Sequence, residues 1–165
     1  LSISRNDRVS DDHVVINLMD EINNSIESYY NATDTDNLSI ITKVRHHKKF
    51  KSDATRVRII LNNIISNAIK YRSFDSEKSF IKIIAEVSEK EVNLTIEDNG
   101  DGIEHSKLPH IFDMFYSATE KSGGSGLGLY IVKKVADKLK ATVDVSSQEL
   151  EGTIFNITIP NTYYQ

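Results

Sequence analysis

Asn63, Asn67 and Lys70 recur at i, i+4 and i+7, the spacing of one stripe along an α-helix. Carboxamide oxygens are neutral, hard ligands suited to Mg²⁺ that already carries phosphates, and a lysine one turn further can meet phosphate as a point charge. A solvated helix face has the same look, so the stripe gains meaning only from its neighbours. Asp98 ends a run in which Val92, Leu94 and Ile96 share one side of a strand, and period two carries its carboxylate to that inward side. An inward carboxylate is costly unless donors satisfy it. The exocyclic amine of adenine is such a donor; a strand closing in an Asp-Asn-Gly turn is the competing reading. Asn99-Gly100-Asp101-Gly102 then turns the chain with two glycines that allow backbone to approach a ligand closely. A second glycine loop, Gly123-Gly124-Ser125-Gly126-Leu127-Gly128, opens directly into a helical pattern, where free amides and the helix dipole favour an anion. It is neither a P-loop, because no Gly-Lys-Ser/Thr follows, nor a dinucleotide fingerprint, because no βαβ unit surrounds it. Between the glycine loops, Phe112 to Ser122 places aromatics before small polar residues, as a hinge-anchored flap would; core packing of Phe112 or Phe115 accounts for the aromatics equally well.

Several elements must hold these groups. Val15, Leu18, Met19, Ile22 and Ile26 predict an amphipathic helix over about 12–30, with Asp11 and Asp12 as N-cap candidates. A turn at 31–37 and a strand at 39–44 follow. Asp53 is placed to cap a second helix that runs to Tyr71, with Val57, Ile60, Leu61, Ile64 and Ala68 as its apolar face. Alternation over 81–87 and 92–96 around Glu89-Lys90-Glu91 predicts a hairpin. Leu127, Ile131, Val132, Val135 and Leu139 mark a third helix, and strands at 141–147 and 153–159 close the domain. Three helices segregated from a mainly antiparallel sheet make a two-layer α/β sandwich of the α+β class.

The whole chain sets limits. Its 165 residues suit one domain with a real core, and 39% hydrophobic with 27% charged residues is an ordinary globular balance. A net charge of -4 offers no broad basic field to nucleic acid. Cysteine is absent, which excludes disulfides and thiolate zinc sites. No apolar run approaches the roughly 18 residues of a membrane span. The chain starts at Leu1 without a signal peptide and reads as part of a longer protein: 1–10 as the end of an upstream acceptor-helix region or a linker, 11–165 as the catalytic unit.

Together these pieces resemble the GHKL ATPase superfamily, and within it the catalytic domain of sensor histidine kinases. Asn63-Ile-Ile-Ser-Asn67-Ala-Ile-Lys70-Tyr71 is similar to the N box, and Asp98-Asn-Gly100-Asp-Gly102-Ile103 to the first glycine box. Phe112-Asp-Met-Phe115 resembles the F box, Gly124-Ser-Gly126-Leu127-Gly128-Leu129 the second glycine box, and Gly152-Thr153-Ile-Phe155 through Pro160 the closing strand. The motifs stand in family order across most of 12–160. The resemblance implies a Bergerat-type fold with a mixed, mostly antiparallel sheet under three helices, and it implies ATP and Mg²⁺. Asn67 would hold Mg²⁺ with support from Asn63, and Lys70 and Tyr71 would line the phosphate side. Asp98 would read the adenine amine beside Thr153, and Gly100, Gly102 and Ile103 would admit the ring. Phe115 and Tyr116 would anchor a lid over 113–123. The sequence departs from the pattern at Met114, where proline is usual, and at Ser117, where many relatives carry arginine; Lys121 offers a substitute cation.

Hydrolases of the superfamily carry a glutamate where Asn63 stands, and it activates water as a general base. An amide cannot abstract a proton, whereas a neutral imidazole nitrogen is already a nucleophile. The resemblance therefore implies a protein-histidine kinase. None of His13, His46, His47, His105 or His110 sits in the acceptor pattern His-Asp/Glu-x-x-Thr/Asn-Pro, so the acceptor histidine is expected on upstream dimerisation helices of the same protein, with a response regulator as onward partner. The expected location is cytoplasmic, with membrane anchoring of the parent left open and no membrane contact by these residues. A nucleotide-sensing module without transfer activity and an anti-sigma-type serine kinase are the alternatives.

Overall fold

The computed structural model describes residues 13–30, 37–73, 78–118 and 125–165. In chain order the elements are β1 (His13–Ile16), α1 (Leu18–Tyr30), β2 (Leu38–His46), β3 (Phe50–Asp53), α2 (Ala54–Lys70), β4 (Ser79–Val87), β5 (Glu91–Asp98), a 3₁₀ turn (His105–His110), α3 (Gly128–Leu139), β6 (Thr142–Gln148) and β7 (Gly152–Pro160). The main sheet has the order β2-β4-β5-β7-β6. Only β2 and β4 run parallel; the other neighbours are antiparallel, as the sequence predicts for the two hairpins.

One face of this sheet carries the core. Ile83, Ile96 and Phe155 stand in register across β4, β5 and β7, and Ala85, Leu94 and Ile157 form the row beside them. All six are buried. The next row toward the strand ends runs Ile81, Asp98, Thr153, Ser147, so the apolar face turns polar at Asp98. The opposite face is polar: the Thr95 hydroxyl donates to Asn156 Oδ1 at 2.9 Å, and Lys82 meets Glu97 at 3.6 Å.

Helix α2 covers the core face between α1 and α3. Val57, Ile60, Leu61, Ile64, Ile65, Ala68 and Ile69 are its buried residues. Asp53 caps it, accepting from the Arg56 amide at 2.9 Å, and Tyr71 is its C-cap. Arg58 grips Glu21 of α1 through two 2.9 Å hydrogen bonds. No helix among the described residues is long and apolar enough to cross a membrane.

The first predicted helix is shorter than expected. Residues 13–16 form β1, paired antiparallel with β3 in a separate two-stranded sheet, and the helix begins at Leu18. Asn17 takes the capping place, accepting from the Asp20 amide at 3.4 Å; Asp11 and Asp12 lie outside the described residues. The buried side chain of Asn161 ties this small sheet to the large one: its amide nitrogen donates to Lys49 O and Ser88 O, each at 2.8 Å, and its oxygen accepts from the Lys51 amide.

Candidate nucleotide site

Where β5 ends and β7 begins, a cavity of about 480 Å³ opens between the sheet, the last turns of α2 and the start of α3. The sheet contributes Asp98, Thr153 and Phe155; α2 contributes Asn67, Lys70 and Tyr71. Gly102 and Ile103 line it from the first glycine loop, Tyr116 from the predicted flap, and Gly126, Gly128 and Leu129 from the second loop and α3. These twelve residues, from widely separated motifs, thus border one space.

Asp98 reaches it because the period of β5 places its carboxylate on the core side. Its Oδ1 accepts from the Gly100 amide at 2.9 Å. Burial pushes the carboxyl up to about 6; the amides of Gly100 and Thr153 act against that rise, and the negative charges of Asp101 and Glu97 add to it. Beside it, the Thr153 hydroxyl lies 2.8 Å from Ser147 Oγ, which also accepts from the Ile103 amide at 2.8 Å and donates to Gly152 O. The chain Ile103–Ser147–Thr153 therefore fixes the wall beside Asp98 in one hydrogen-bonded piece.

Two glycines fit because of backbone approach. A Cβ on Gly100 would lie 2.4 Å from Tyr71 O, the carbonyl that accepts from the Asp101 amide and seats the loop on the end of α2. Gly126 adopts φ +67°, and a Cβ there would lie 2.5 Å from the carbonyl carbon of Phe115, itself left-handed at φ 63°.

The remaining sequence candidates sit elsewhere. Gly100 and Leu127 are not among the lining residues: Leu127 precedes α3, and its carbonyl accepts from the Ile131 amide. Asn63 lies off the cavity, its Nδ2 donating to Ile59 O at 2.8 Å and its Oδ1 against the position a Gly128 Cβ would take. Phe115 is 69% exposed, while Phe112 packs against the core. Gly124 and Lys121 fall outside the described residues. All five histidines are exposed. Sequence reasoning missed Tyr29 of α1, Ile111 and Arg72, which also border the cavity.

The cavity carries charge of both signs. Among the described residues that line it, Asp98 is the carboxylate, and Lys70 and Arg72 are the cations, both at the end of α2. Such a space suits a ligand that offers both a neutral hydrogen-bond donor and negative charge. No cluster of three His, Asp or Glu side chains suited to a metal occurs among the described residues. A metal here would take the Asn67 amide oxygen and fill its other positions from ligand phosphates and water, which Mg²⁺ accepts readily.

Comparison with known proteins agrees with this geometry. The family described as histidine kinase-, DNA gyrase B-, and HSP90-like ATPase matches residues 52–163. A probable C4-dicarboxylate sensor kinase of Bacillus subtilis is 37% identical over 109 residues, which is 66% of this chain and 20% of that protein. The sensor histidine kinase YvrG of Bacillus subtilis is 28% identical over 158 residues, 93% of this chain and 27% of its own length. Among solved structures, the Acinetobacter baumannii histidine kinase AdeS aligns with a TM-score of 0.74 at 25% identity, over 98% of this chain and 73% of that one. The catalytic domain of histidine kinase ThkA aligns with a TM-score of 0.76 at 24% identity, over 91% of this chain and 98% of that one, a likeness of fold. The chain thus spans about a fifth to a quarter of these two curated relatives.

Proposed function

This chain belongs to the family of histidine kinase-, DNA gyrase B- and HSP90-like ATPases, and from that premise we propose that it is the ATP-binding catalytic domain of a two-component sensor histidine kinase. The observation that carries the reading is that one cavity gathers Asp98 and Thr153 of the sheet, Asn67 and Lys70 of α2 and the opening of α3.

In this reading the adenine amine donates to Asp98, with the Thr153 hydroxyl beside it and Gly102 and Ile103 against the ring. Lys70, Tyr71 and the amides at the start of α3 take the phosphates. Mg²⁺, when bound, neutralises phosphate charge, with Asn67 as its protein ligand; Asn63, held by Ile59 O, steadies the face between α2 and α3. Asn63 supplies no base, so the site positions ATP and leaves the nucleophile to a partner. An imidazole nitrogen attacks the γ-phosphorus, the bond to the β–γ bridging oxygen breaks, ADP departs, and the imidazole gives up its proton.

The acceptor histidine belongs to dimerisation helices of the parent protein, upstream of this unit. Residues 11–165 are assigned to the catalytic domain and 1–10 to the approach from those helices. The phosphohistidine then serves a response regulator in the cytoplasm. The test is incubation with γ-labelled ATP. Proximity alone can be worth about 7–11 kcal/mol of barrier, so the chain by itself should stay unlabelled and release phosphate slowly. Adding the parent's helical domain should label that domain with an acid-labile phosphate. Rapid phosphate release without a partner would point to a hydrolase, and tight ATP binding without labelling of the added domain would point to a silent sensing module.

A further inference from the structure

We propose that Ser147 is a positioning residue for the purine end of the cavity: it takes up the hydrogen of the Thr153 hydroxyl, leaves that oxygen able only to accept, and so selects a purine bearing an amino group over one bearing a keto group. The inference rests on the nucleotide reading of the cavity and adds to it a residue that none of the sequence motifs contains.

Ser147, Thr153 and Asp98 stand in one register row across β6, β7 and β5. Period two turns Ser147 to the same side as Val143 and Val145, which pack against the core. A serine hydroxyl has one hydrogen and two lone pairs. Ser147 Oγ meets three groups, each at 2.8 Å: the Ile103 amide, the Gly152 carbonyl and the Thr153 hydroxyl. The amide can only donate and the carbonyl can only accept. The hydrogen of Ser147 therefore goes to Gly152 O, and one lone pair takes the Ile103 N–H. The other lone pair is left for Thr153, so the hydrogen of that contact comes from Thr153. The opposite choice, Ser147 donating to Thr153, would leave two oxygens 2.8 Å apart at Gly152 with no hydrogen between them.

The arrangement has little room to turn. Ile103 follows the first glycine loop, which lies against the end of β6: a Cβ on Gly102 would come within 1.9 Å of Gln148 O, and the Leu150 amide donates to Asp101 O at 2.7 Å. Thr153 borders the cavity, opposite Asp98 in the ladder. With its hydrogen committed to Ser147, it offers a ligand only lone pairs. Asp98, once ionised, is likewise an acceptor only. Two acceptors side by side fit the two hydrogens of a primary amine, such as the exocyclic amine of adenine. The keto oxygen of hypoxanthine in that place meets two acceptors and no donor.

The test is calorimetry of ATP and inosine triphosphate (ITP) in magnesium at pH 8, where Asp98, pushed up to about 6, is ionised. Ser147→Ala frees the Thr153 hydrogen to turn to the ligand. ITP should then bind about tenfold more tightly than to the unsubstituted chain, while ATP changes by less than about threefold. A merely structural residue gives no gain in affinity when its hydroxyl is removed. Ser147→Thr keeps one hydrogen and should keep the ratio of the ITP and ATP dissociation constants. Ser147→Ala combined with Thr153→Val should show no gain for ITP, because the hydroxyl that would donate is gone. Thr153→Val alone carries the test if Ser147→Ala fails to fold: ATP should weaken about tenfold and ITP should not weaken. A ratio unmoved by Ser147→Ala, or ITP weakened by Thr153→Val as much as ATP, would overturn the proposal. If the unsubstituted chain binds neither nucleotide, the reading of the cavity itself fails and takes the proposal with it, a result distinct from an unmoved ratio.

Discussion

Asp98 stands directly opposite Thr153 in the β5–β7 ladder, and backbone amides of Thr153 and Gly100 both point hydrogen bonds at its carboxylate. Two donors do not compensate for burial, which lifts the group to about 6. The folded chain therefore holds a proton on Asp98 between the ordinary carboxylate range and about 6, where the unfolded chain has released it. Its contribution to stability is largest below that range and declines as pH rises through about 6. Ligand binding has the opposite sign, because the adenine amine needs the ionised acceptor. Adenosine, which has no group titrating in this window, should bind about tenfold more weakly at pH 5 than at pH 7.5. Titration calorimetry at the two pH values checks this, and a flat profile would remove Asp98 from the contact.

Asp98→Asn separates charge from shape. Its amide turns one oxygen into a donor facing the adenine amine, and the loss of a charge-assisted bond should weaken ATP more than about tenfold. The ligand-free variant should also lose the decline in stability between pH 4 and 7. Chemical denaturation across that range tests the second point without any nucleotide.

Gly126 and Gly128 border the same cavity, but substitution should distinguish them. Gly126 is left-handed and its missing Cβ faces backbone of Phe115, which cannot give way without moving Tyr116. Alanine there should cost about 1–2 kcal/mol and weaken ATP binding. The Cβ of an alanine at 128 would meet only the side-chain amide of Asn63, its oxygen at 3.0 Å, in a helical turn that favours alanine. Gly128→Ala should therefore cost under about 1 kcal/mol. Equal losses in urea denaturation would contradict this account of the loop.

What the sequence revealed depended on how local each cause was. The inward turn of Asp98 follows from period two along β5, and the cap at Asp53 from a residue type in one place; both stand as read. The strand at 13–16 was hidden because Val15 continues the helical spacing of Leu18, Met19, Ile22 and Ile26. Pairing with Phe50–Asp53, remote in sequence, decides its form. Asn63 and Asn67 share a stripe, yet four residues rotate 40° beyond a full turn and advance about 6 Å, enough to set Asn63 against α3 while Asn67 borders the cavity. Tyr29 arrives through the packing of α1 on α2, for which no local pattern speaks. Arg72 did carry a signal, a cation directly after Lys70-Tyr71, but its burial is a tertiary fact.

The cap of α2 is also a buried ion pair, since Arg56 Nη1 lies 3.0 Å from Asp53 Oδ2 with side chains 7% and 2% exposed. Asp53→Ala would remove the cap and the carboxylate beside the buried guanidinium, at a cost of about 3–5 kcal/mol. Replacing both residues, as Asp53→Ala with Arg56→Met, should recover part of that loss because the buried guanidinium goes with its carboxylate. Denaturation midpoints of Asp53→Ala, Arg56→Met and the double variant decide it; a double variant at least as unstable as the sum of the single ones would show that the pair is not coupled.

Asn67 offers the sharpest test of the metal reading, because the chain supplies so little else. The cavity gives Mg²⁺ a single amide oxygen in this account, with Asn63 turned toward Ile59 and Gly128. Asn67→Ala should then weaken ATP in magnesium by about tenfold, the worth of one ligand to a hard cation that keeps its phosphates and waters. In EDTA the same substitution removes only a polar neighbour, and the effect should fall within about threefold. Lys70→Ala makes the control, since a direct phosphate contact weakens ATP in both buffers. Equal losses for Asn67→Ala with and without magnesium would return that residue to a hydrated helix face and leave the metal without a protein ligand on α2.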